Sequence, residues 1–158
     1  MRKLMFLGLV FMGVVNAGSV YESYHLFNEV MASGENVLNV FKKKEMEIVK
    51  VDVGRVSLLV KESVYKDLSK GYTYYISVAG QRSRIENLWA WVYYIDPTGK
   101  ETLVGLDTMT EIYPRGIYPN IQVTPEFTGT YRVMVDVRKM VKGCDNGYYF
   151  MAIGALKH

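Results

Sequence analysis

From residue 46 onward, apolar and polar residues alternate along this chain, and turn residues interrupt the alternation at short intervals. A period of two is typical of β-strands that have one face in a protein core. The strands that this pattern predicts are Met46–Asp52, Val56–Tyr65, Tyr72–Ala79, Asn87–Asp96, Leu103–Thr108, Tyr118–Thr124, Gly129–Arg138 and Tyr148–Leu156. Many short strands between regular turns indicate a sandwich. We therefore predict a mainly β jelly-roll sandwich of about eight strands over residues 46–158.

Turn residues and alternation also predict which side chains face the core. The predicted turns are Val53-Gly54-Arg55, Ser69-Lys70-Gly71, Asp96-Pro97-Thr98-Gly99 and Asp145-Asn146-Gly147. The third of these fits a type I turn, because proline at its second position presets the backbone angle φ. The residues that we expect to face inward include Tyr74, Ile76, Val78, Val92, Val133, Val135, Met151 and Ile153.

The segment before the strands has a different period. Between residues 20 and 44 the apolar residues are spaced by multiples of three and four, as on one face of a helix. Ser33-Gly34 interrupts this stripe, where Gly34 is a candidate to close a first helix and Ser33 to cap a second. We predict a helical segment over residues 18–45 that packs on the sandwich.

Residues 1–17 have the pattern of a secretory signal peptide. Two basic residues precede an apolar run from Leu4 to Val15, and Val15 and Ala17 are the small residues that signal peptidase requires. The run is shorter than the about 20 apolar residues of a membrane-spanning helix. We expect cleavage after Ala17 and a mature chain that is periplasmic or secreted, without a transmembrane segment.

Charge and chemistry-bearing residues argue against several functions. The chain has 19 basic and 16 acidic residues, and removal of the two basic residues of the predicted signal leaves it near neutral, so nucleic acid is not an expected partner. Its one cysteine, Cys144, excludes an internal disulfide. The two histidines lie in no triad or metal motif, and the scattered aspartates lack calcium-loop spacing. We therefore expect no enzyme, no cofactor and no bound metal.

A series of short motifs runs from about residue 68 to residue 156. In chain order they are Leu68-Ser69-Lys70-Gly71, the strand from Asn87 to Asp96-Pro97-Thr98-Gly99, Gly129-Thr130-Tyr131 before Val133 and Val135, and the alternating Tyr149, Met151 and Ile153. With these motifs the chain resembles the bacterial pre-peptidase C-terminal domain, a small jelly-roll module of secreted proteins. The resemblance implies the same fold and an exported protein. The chain departs from that family at Trp89 and Trp91, which occupy positions where the family often has acidic residues.

One predicted strand carries aromatic residues on its outward face. Trp89, Trp91 and Tyr93 share this face at intervals of about 7 Å, while Leu88, Ala90, Val92 and Tyr94 share the other. Because both faces are apolar, either both are covered or one binds a partner. The alternatives are a cover by the helical segment, a platform for a glycan or a peptide, and a dimer interface. We expect the helical segment to cover the two tryptophans.

A second candidate site is the loop that contains Tyr113, Arg115 and Tyr118. Tyrosine and arginine in a loop at the end of a sandwich are typical of recognition surfaces, although ordinary ring packing is the alternative. Together these observations predict an exported, non-catalytic module that recognises a glycan or an envelope protein. The alternative is a structural or self-assembling envelope subunit.

Overall fold

The computed structural model describes residues 24–107 and 118–158. The predicted signal peptide, Tyr113 and Arg115 lie outside the described residues. A helix, α1, spans residues 24–43 and precedes eight strands. The strands are β1 (Glu47–Ser57), β2 (Glu62–Leu68), β3 (Tyr72–Gly80), β4 (Ile85–Ile95), β5 (Glu101–Leu106), β6 (Asn120–Val123), β7 (Gly129–Met140) and β8 (Asn146–Lys157).

The strands form two four-stranded antiparallel sheets that pack face to face. Sheet A has the order β1-β8-β3-β6, and sheet B has the order β2-β7-β4-β5. The chain crosses from one sheet to the other at every connection between strands except that between β4 and β5. This is the strand order of a jelly roll, so the predicted fold class is confirmed.

The core lies between the two sheets and is built from alternate residues of each strand. All eight side chains predicted to face inward are buried there, from Tyr74 on β3 to Ile153 on β8. Small residues allow the sheets to approach each other. For example, a side chain at Gly105 would collide with Ile121 of the opposite sheet.

Two of the predicted turns had different outcomes. The Asp96 turn is present: Gly99 N donates to Asp96 O at 2.9 Å, and Thr98 Oγ1 donates to the Asp96 carboxylate at 2.6 Å. Hydrogen bonds from Thr98 and from the Lys100 backbone lower the pKa of the Asp96 carboxyl. The turn predicted at Gly54 is wrong, because β1 continues to Ser57 and Gly54 instead leaves room for the ring of Tyr149.

The helix α1 is continuous, so the predicted break at Ser33-Gly34 is wrong. Ser33 Oγ does not cap a second helix but donates to Glu29 O, one turn earlier, at 3.3 Å. A Cβ atom at Gly34 would collide with the ring of Phe150 on β8. Gly34 is therefore a point of close approach between the helix and the sheet, rather than a helix end.

The helix packs on the outer face of sheet A. Val30 and Phe41 form a second buried cluster with Ala79 of β3 and with Phe150 and Ala152 of β8. The Glu29 carboxylate ties the helix to the β3–β4 connection, where Ser83 N donates to it at 2.8 Å. Strand β8 is therefore buried on both faces, which explains why it is apolar almost throughout.

Replacing Gly34 by Ala should reverse the usual effect of this substitution. In an exposed helix interior Ala is more favourable than Gly by about 1 kcal/mol. At Gly34 the added methyl group meets Phe150, so we expect the free energy of unfolding to fall by about 1–3 kcal/mol. Urea denaturation measures the change, with Asn39→Ala on the exposed face of α1 as the matched control. A stabilised Gly34→Ala variant would show that the helix does not lie on Phe150.

Candidate functional site

The aromatic row of β4 lies on the outer face of sheet B, on the opposite side of the sandwich from α1. The prediction that the helical segment covers Trp89 and Trp91 is therefore wrong. The helix fits on sheet A because small outward residues of β3 and β8, Ala79, Ala152 and Gly154, leave room for it around the ring of Phe150. At Gly154, for example, a side chain would come within 2.8 Å of Phe41.

Strand pairing surrounds the aromatic row with defined neighbours. On the β7 side, Trp89 is opposite Asp136, Trp91 is opposite Met134, and Tyr93 is opposite Arg132. On the β5 side, Trp91 is opposite Leu106 and Tyr93 is opposite Leu103. Tyr65 of β2 adds an exposed ring beside Arg132. The sheet B face, as we name it, consists of Lys61, Tyr65, Trp89, Trp91, Tyr93, Leu103, Leu106, Arg132, Met134, Asp136 and Arg138.

Cationic side chains lie over the aromatic rings of the sheet B face. The Arg138 guanidinium carbon is 4.1 Å from the ring centroid of Trp89. Lys61 Nζ is 5.9 Å from the ring centroid of Trp91, and the Arg132 guanidinium is 4.9 Å from that of Tyr93. Each such contact contributes about 0.5–1 kcal/mol at an exposed site. The contacts hold long, mobile side chains in one arrangement on the sheet surface.

A buried carboxylate orients two of these cations. Asp136 is only 3% exposed, and its Oδ2 accepts a hydrogen bond from Arg138 Nη1 at 3.2 Å. Lys61 Nζ lies 3.6 Å from the same oxygen. Asp136 therefore holds Arg138 against Trp89 and brings Lys61, from the β1–β2 connection, over the end of the aromatic row. The cluster of one carboxylate and two cations has a net positive charge.

The two tryptophans meet at an angle rather than in one plane. Their ring centroids are 5.6 Å apart, and the planes are inclined at 64°. Both rings, like Tyr93, are half-buried, mainly between side chains of sheet B. The face is therefore ridged and partly exposed, with apolar area between ion-paired cations, since Arg132 pairs with the Glu101 carboxylate of β5 as Arg138 and Lys61 do with Asp136.

Tyr118, from the second candidate site, lies elsewhere. It comes just before β6 at the edge of sheet A, and its hydroxyl accepts a hydrogen bond from Arg82 Nη2 at 3.4 Å. The structure does not bring it together with the row of Trp89, Trp91 and Tyr93.

Within residues 24–107 and 118–158, no group of three or more His, Cys, Asp or Glu side chains is placed to hold a metal ion. Two of the scattered aspartates have structural partners instead. The Asp96 carboxylate accepts a hydrogen bond within its turn, and the Asp136 carboxylate pairs with Lys61 and Arg138. In the described part of the chain, no helix combines the length and apolar character that a bilayer crossing requires.

Sequence reasoning missed the cations of the sheet B face. Arg132, Asp136 and Arg138 are at outward positions of β7, so alternation gives their direction. Their contacts with Trp89 and Tyr93 depend on the register between β7 and β4, which lie more than 30 residues apart along the chain. Lys61 joins the group from a third segment, and no local pattern indicates this.

The fold and the face define a class: a jelly-roll sandwich with an aromatic and cationic outer surface. The sequence matches no family model and no curated protein. Several solved structures share the fold. The periplasmic g-type lysozyme inhibitor PliG from Aeromonas hydrophila is 13% identical, with a TM-score of 0.50, and the match covers 72% of this chain and 90% of that chain.

Two further structures show the same likeness. CorA, a surface-associated copper-binding protein of Methylomicrobium album BG8, is 8% identical over 67% of this chain and 93% of that chain, with a TM-score of 0.50. The pre-peptidase C-terminal domain of collagenase from Bacillus anthracis is 10% identical over 66% of this chain and 87% of that chain, with a TM-score of 0.45. The likeness to this domain is a weak structural one. At such identities the likeness shows the fold alone.

Proposed function

We propose that this protein is an exported, non-catalytic binding protein that recognises a protein partner through the sheet B face. One observation carries the proposal: the Trp, Tyr and Arg side chains of this face are partly exposed on a rigid sheet, and α1 lies on the other side. These three residue types dominate the binding energy of protein interfaces. Exposed apolar patches of this kind usually mark interaction sites.

The arrangement of the rings favours a protein over a glycan. A sugar ring stacks on a free and flat aromatic face, whereas a guanidinium already lies 4.1 Å from the ring centroid of Trp89. The angle of 64° between Trp89 and Trp91 also prevents a common plane. Apolar rings alternating with oriented cations suit a partner that offers apolar side chains and carboxylates.

The fold and the signal pattern are compatible with this role. PliG, which has a similar fold, is a periplasmic inhibitor of g-type lysozyme, and so acts on a protein. The predicted signal in residues 1–17 would direct this chain to the periplasm or to the medium. We therefore propose an extracytoplasmic protein partner and use g-type lysozyme as the first probe.

The Trp91→Ala variant tests the proposal. We expect it to weaken partner binding by about 30-fold or more, which corresponds to the loss of about 2 kcal/mol at an interface hot spot. The loss of stability should remain below the about 3–5 kcal/mol of a fully buried Trp, because this ring is half-buried. Calorimetric titration with g-type lysozyme, and with proteins captured from an envelope extract by the immobilised chain, measures the affinity.

Val40→Ala is the matched control, because Val40 is exposed on α1 and lies far from sheet B. It should leave both affinity and capture unchanged. If Trp91→Ala binds the captured proteins as tightly as the unaltered chain, the sheet B face is not the binding surface. If the unaltered chain instead binds immobilised oligosaccharides and Trp91→Ala does not, the partner is a glycan.

Self-assembly is a second candidate function, favoured by strand β5. This strand is at the edge of sheet B, and Leu103, Val104 and Leu106 are exposed. It contains neither Pro nor Lys, which proteins commonly use to protect a sheet edge. A second copy that pairs with β5 would extend the sheet. Light scattering would then give a dimer mass, and Val104→Lys would restore the monomer.

A further inference from the structure

The connection between β1 and β2 exposes three consecutive apolar side chains at one end of the sandwich. The exposed fractions are 55% for Leu58, 96% for Leu59 and 52% for Val60. Single exposed apolar residues are common, whereas a run of three at the point of a turn is unfavourable unless it meets a partner. We name residues 58–60 the β1–β2 tip.

The tip is a closed turn rather than a loose loop. Ser57 N donates to Val60 O at 3.4 Å, and Val60 N donates to Ser57 O at 3.3 Å. Ser57 Oγ also accepts hydrogen bonds from Leu59 N at 3.3 Å and from Val60 N at 3.2 Å. Three of the six backbone polar groups of the tip, Leu59 N, Val60 N and Val60 O, are thus paired within the turn. This matters because an unpaired backbone group is costly to move out of water.

The end of the sandwich that carries the tip is basic. The connections 81–84 and 141–145 lie beside it, since Ser57 pairs with Asn146 and Gly80 pairs with Tyr149. Together with residues 58–61 these connections contain four cations, Lys61, Arg82, Arg84 and Lys142, and one carboxylate, Asp145. These three connections therefore carry a charge of +3, and the Glu29 carboxylate of α1, which accepts hydrogen bonds from Ser83, lowers it to +2.

The opposite end provides a contrast. Its connections are residues 44–46, 69–71, 96–100 and 124–128, which contain three lysines and three carboxylates. The charge there is zero, although an apolar ring, Phe127, is also exposed. Among the described connections, three consecutive exposed apolar residues beside an excess of positive charge are therefore found only at the tip.

We propose that the β1–β2 tip inserts into the interfacial region of an anionic lipid bilayer. Leu58, Leu59 and Val60 would enter the apolar boundary, and the surrounding Lys and Arg side chains would meet the headgroups. A convex tip fits a deformable lipid surface without a preformed pocket. Three apolar residues give reversible docking rather than a membrane span. This inference goes beyond the proposed protein partner and concerns a different surface, which shares Lys61 with the sheet B face.

A fluorescent label at the tip tests the proposal on the full chain. Leu59→Cys in a Cys144→Ser background provides one labelling site, and Phe127→Cys in the same background is the matched control at the opposite end. Each protein carries an environment-sensitive nitrobenzoxadiazole group. The vesicles contain either phosphatidylcholine with phosphatidylglycerol or phosphatidylcholine alone. Circular dichroism checks the fold of both labelled chains.

We expect the emission of the Leu59 label to shift to the blue and to rise several-fold on the anionic vesicles only. High salt should reverse the change, because it screens the attraction to the headgroups. The Phe127 label should stay in water. An apolar N-terminal segment that held the chain on the vesicle would not by itself bury one label and spare the other.

Two results would overturn the proposal: a Leu59 label that stays in water on anionic vesicles, and equal changes of both labels. A Leu59 label that responds to g-type lysozyme or to captured envelope proteins, but not to vesicles, would assign the tip to a protein partner instead. The outcome is independent of the proposed function, since no protein partner is present in the vesicle assay. In that assay Trp91→Ala should leave the response of the Leu59 label unchanged.

Discussion

Replacing Phe150 by Ala is expected to lower the free energy of unfolding by about 3–5 kcal/mol, the cost of truncating a buried aromatic side chain. Phe150 is buried on the outward face of β8, directly beneath Gly34 of α1. Its ring fills the contact between the helix and sheet A, so its loss leaves a cavity that a continuous helix cannot easily fill. Urea denaturation measures the change in stability.

Hydrogen exchange identifies the part of the molecule that loosens in Phe150→Ala. Amide protection should fall first in α1, because the helix depends on this contact, whereas the sandwich retains its own core. Phe127→Ala is the matched control. Because Phe127 is 57% exposed, its truncation should lower the free energy of unfolding much less. If Phe150→Ala leaves helix protection unchanged, α1 does not depend on sheet A.

Replacing Ile153 by Ala is expected to lower the free energy of unfolding by about 2–5 kcal/mol, for a different reason. Ile153 lies three residues further along β8 and faces the opposite way, into the core between the sheets. It pairs with Ile76 of β3, and both side chains are buried. Its truncation removes packing that holds the two sheets together, so we expect a lower unfolding midpoint with a uniform loss of protection in both sheets.

The comparison of Phe150→Ala with Ile153→Ala tests the register of β8. A shift of one residue would exchange the two faces of the strand, and with them the two patterns of hydrogen exchange. Protection that falls only in α1 in Ile153→Ala would contradict the observed register. Val133→Ala on β7 provides an independent check of the same core. We expect it to lower the free energy of unfolding by about 1–4 kcal/mol.

The sheet B face and the β1–β2 tip are linked through one residue. Lys61 follows the tip, and its Nζ lies near both Trp91 and the Asp136 carboxylate. A partner on one surface would therefore be close to the other. This proximity is compatible with a protein that docks on a membrane and presents a binding face beside it.

Local sequence patterns determined the sandwich and its core. Alternation is a property of each strand by itself, so the direction of residues such as Val133 and Ile153 could be predicted without knowing their neighbours. The Asp96 turn could be predicted for the same reason, since the preset φ of Pro97 and the acceptor of Asp96 act within a few residues. The outward direction of the Trp89 and Trp91 side chains also follows from alternation.

Glycines with distant partners do not follow the local prediction. The local pattern predicts a turn at Gly54 and a helix end at Gly34, because glycine usually has these roles. Each instead accommodates an aromatic ring from β8: Gly54 leaves room for Tyr149, and Gly34 leaves room for Phe150. Both rings lie about 95 or more residues further along the chain, so no local pattern indicates the contact.

The surroundings of the candidate site were decided by the tertiary structure. The sequence contains an apolar helix stripe and two sheet faces that it could cover, and hydrophobicity does not distinguish between them. Small outward residues of β3 and β8, such as Ala79 and Ala152, made sheet A the place where a helix fits. Strand register then brought Arg138 and Lys61 to the tryptophans that remained on sheet B. Alternation determined the direction of the aromatic side chains. Packing between distant segments determined that α1 covers sheet A and that cations lie over the aromatic rings of sheet B.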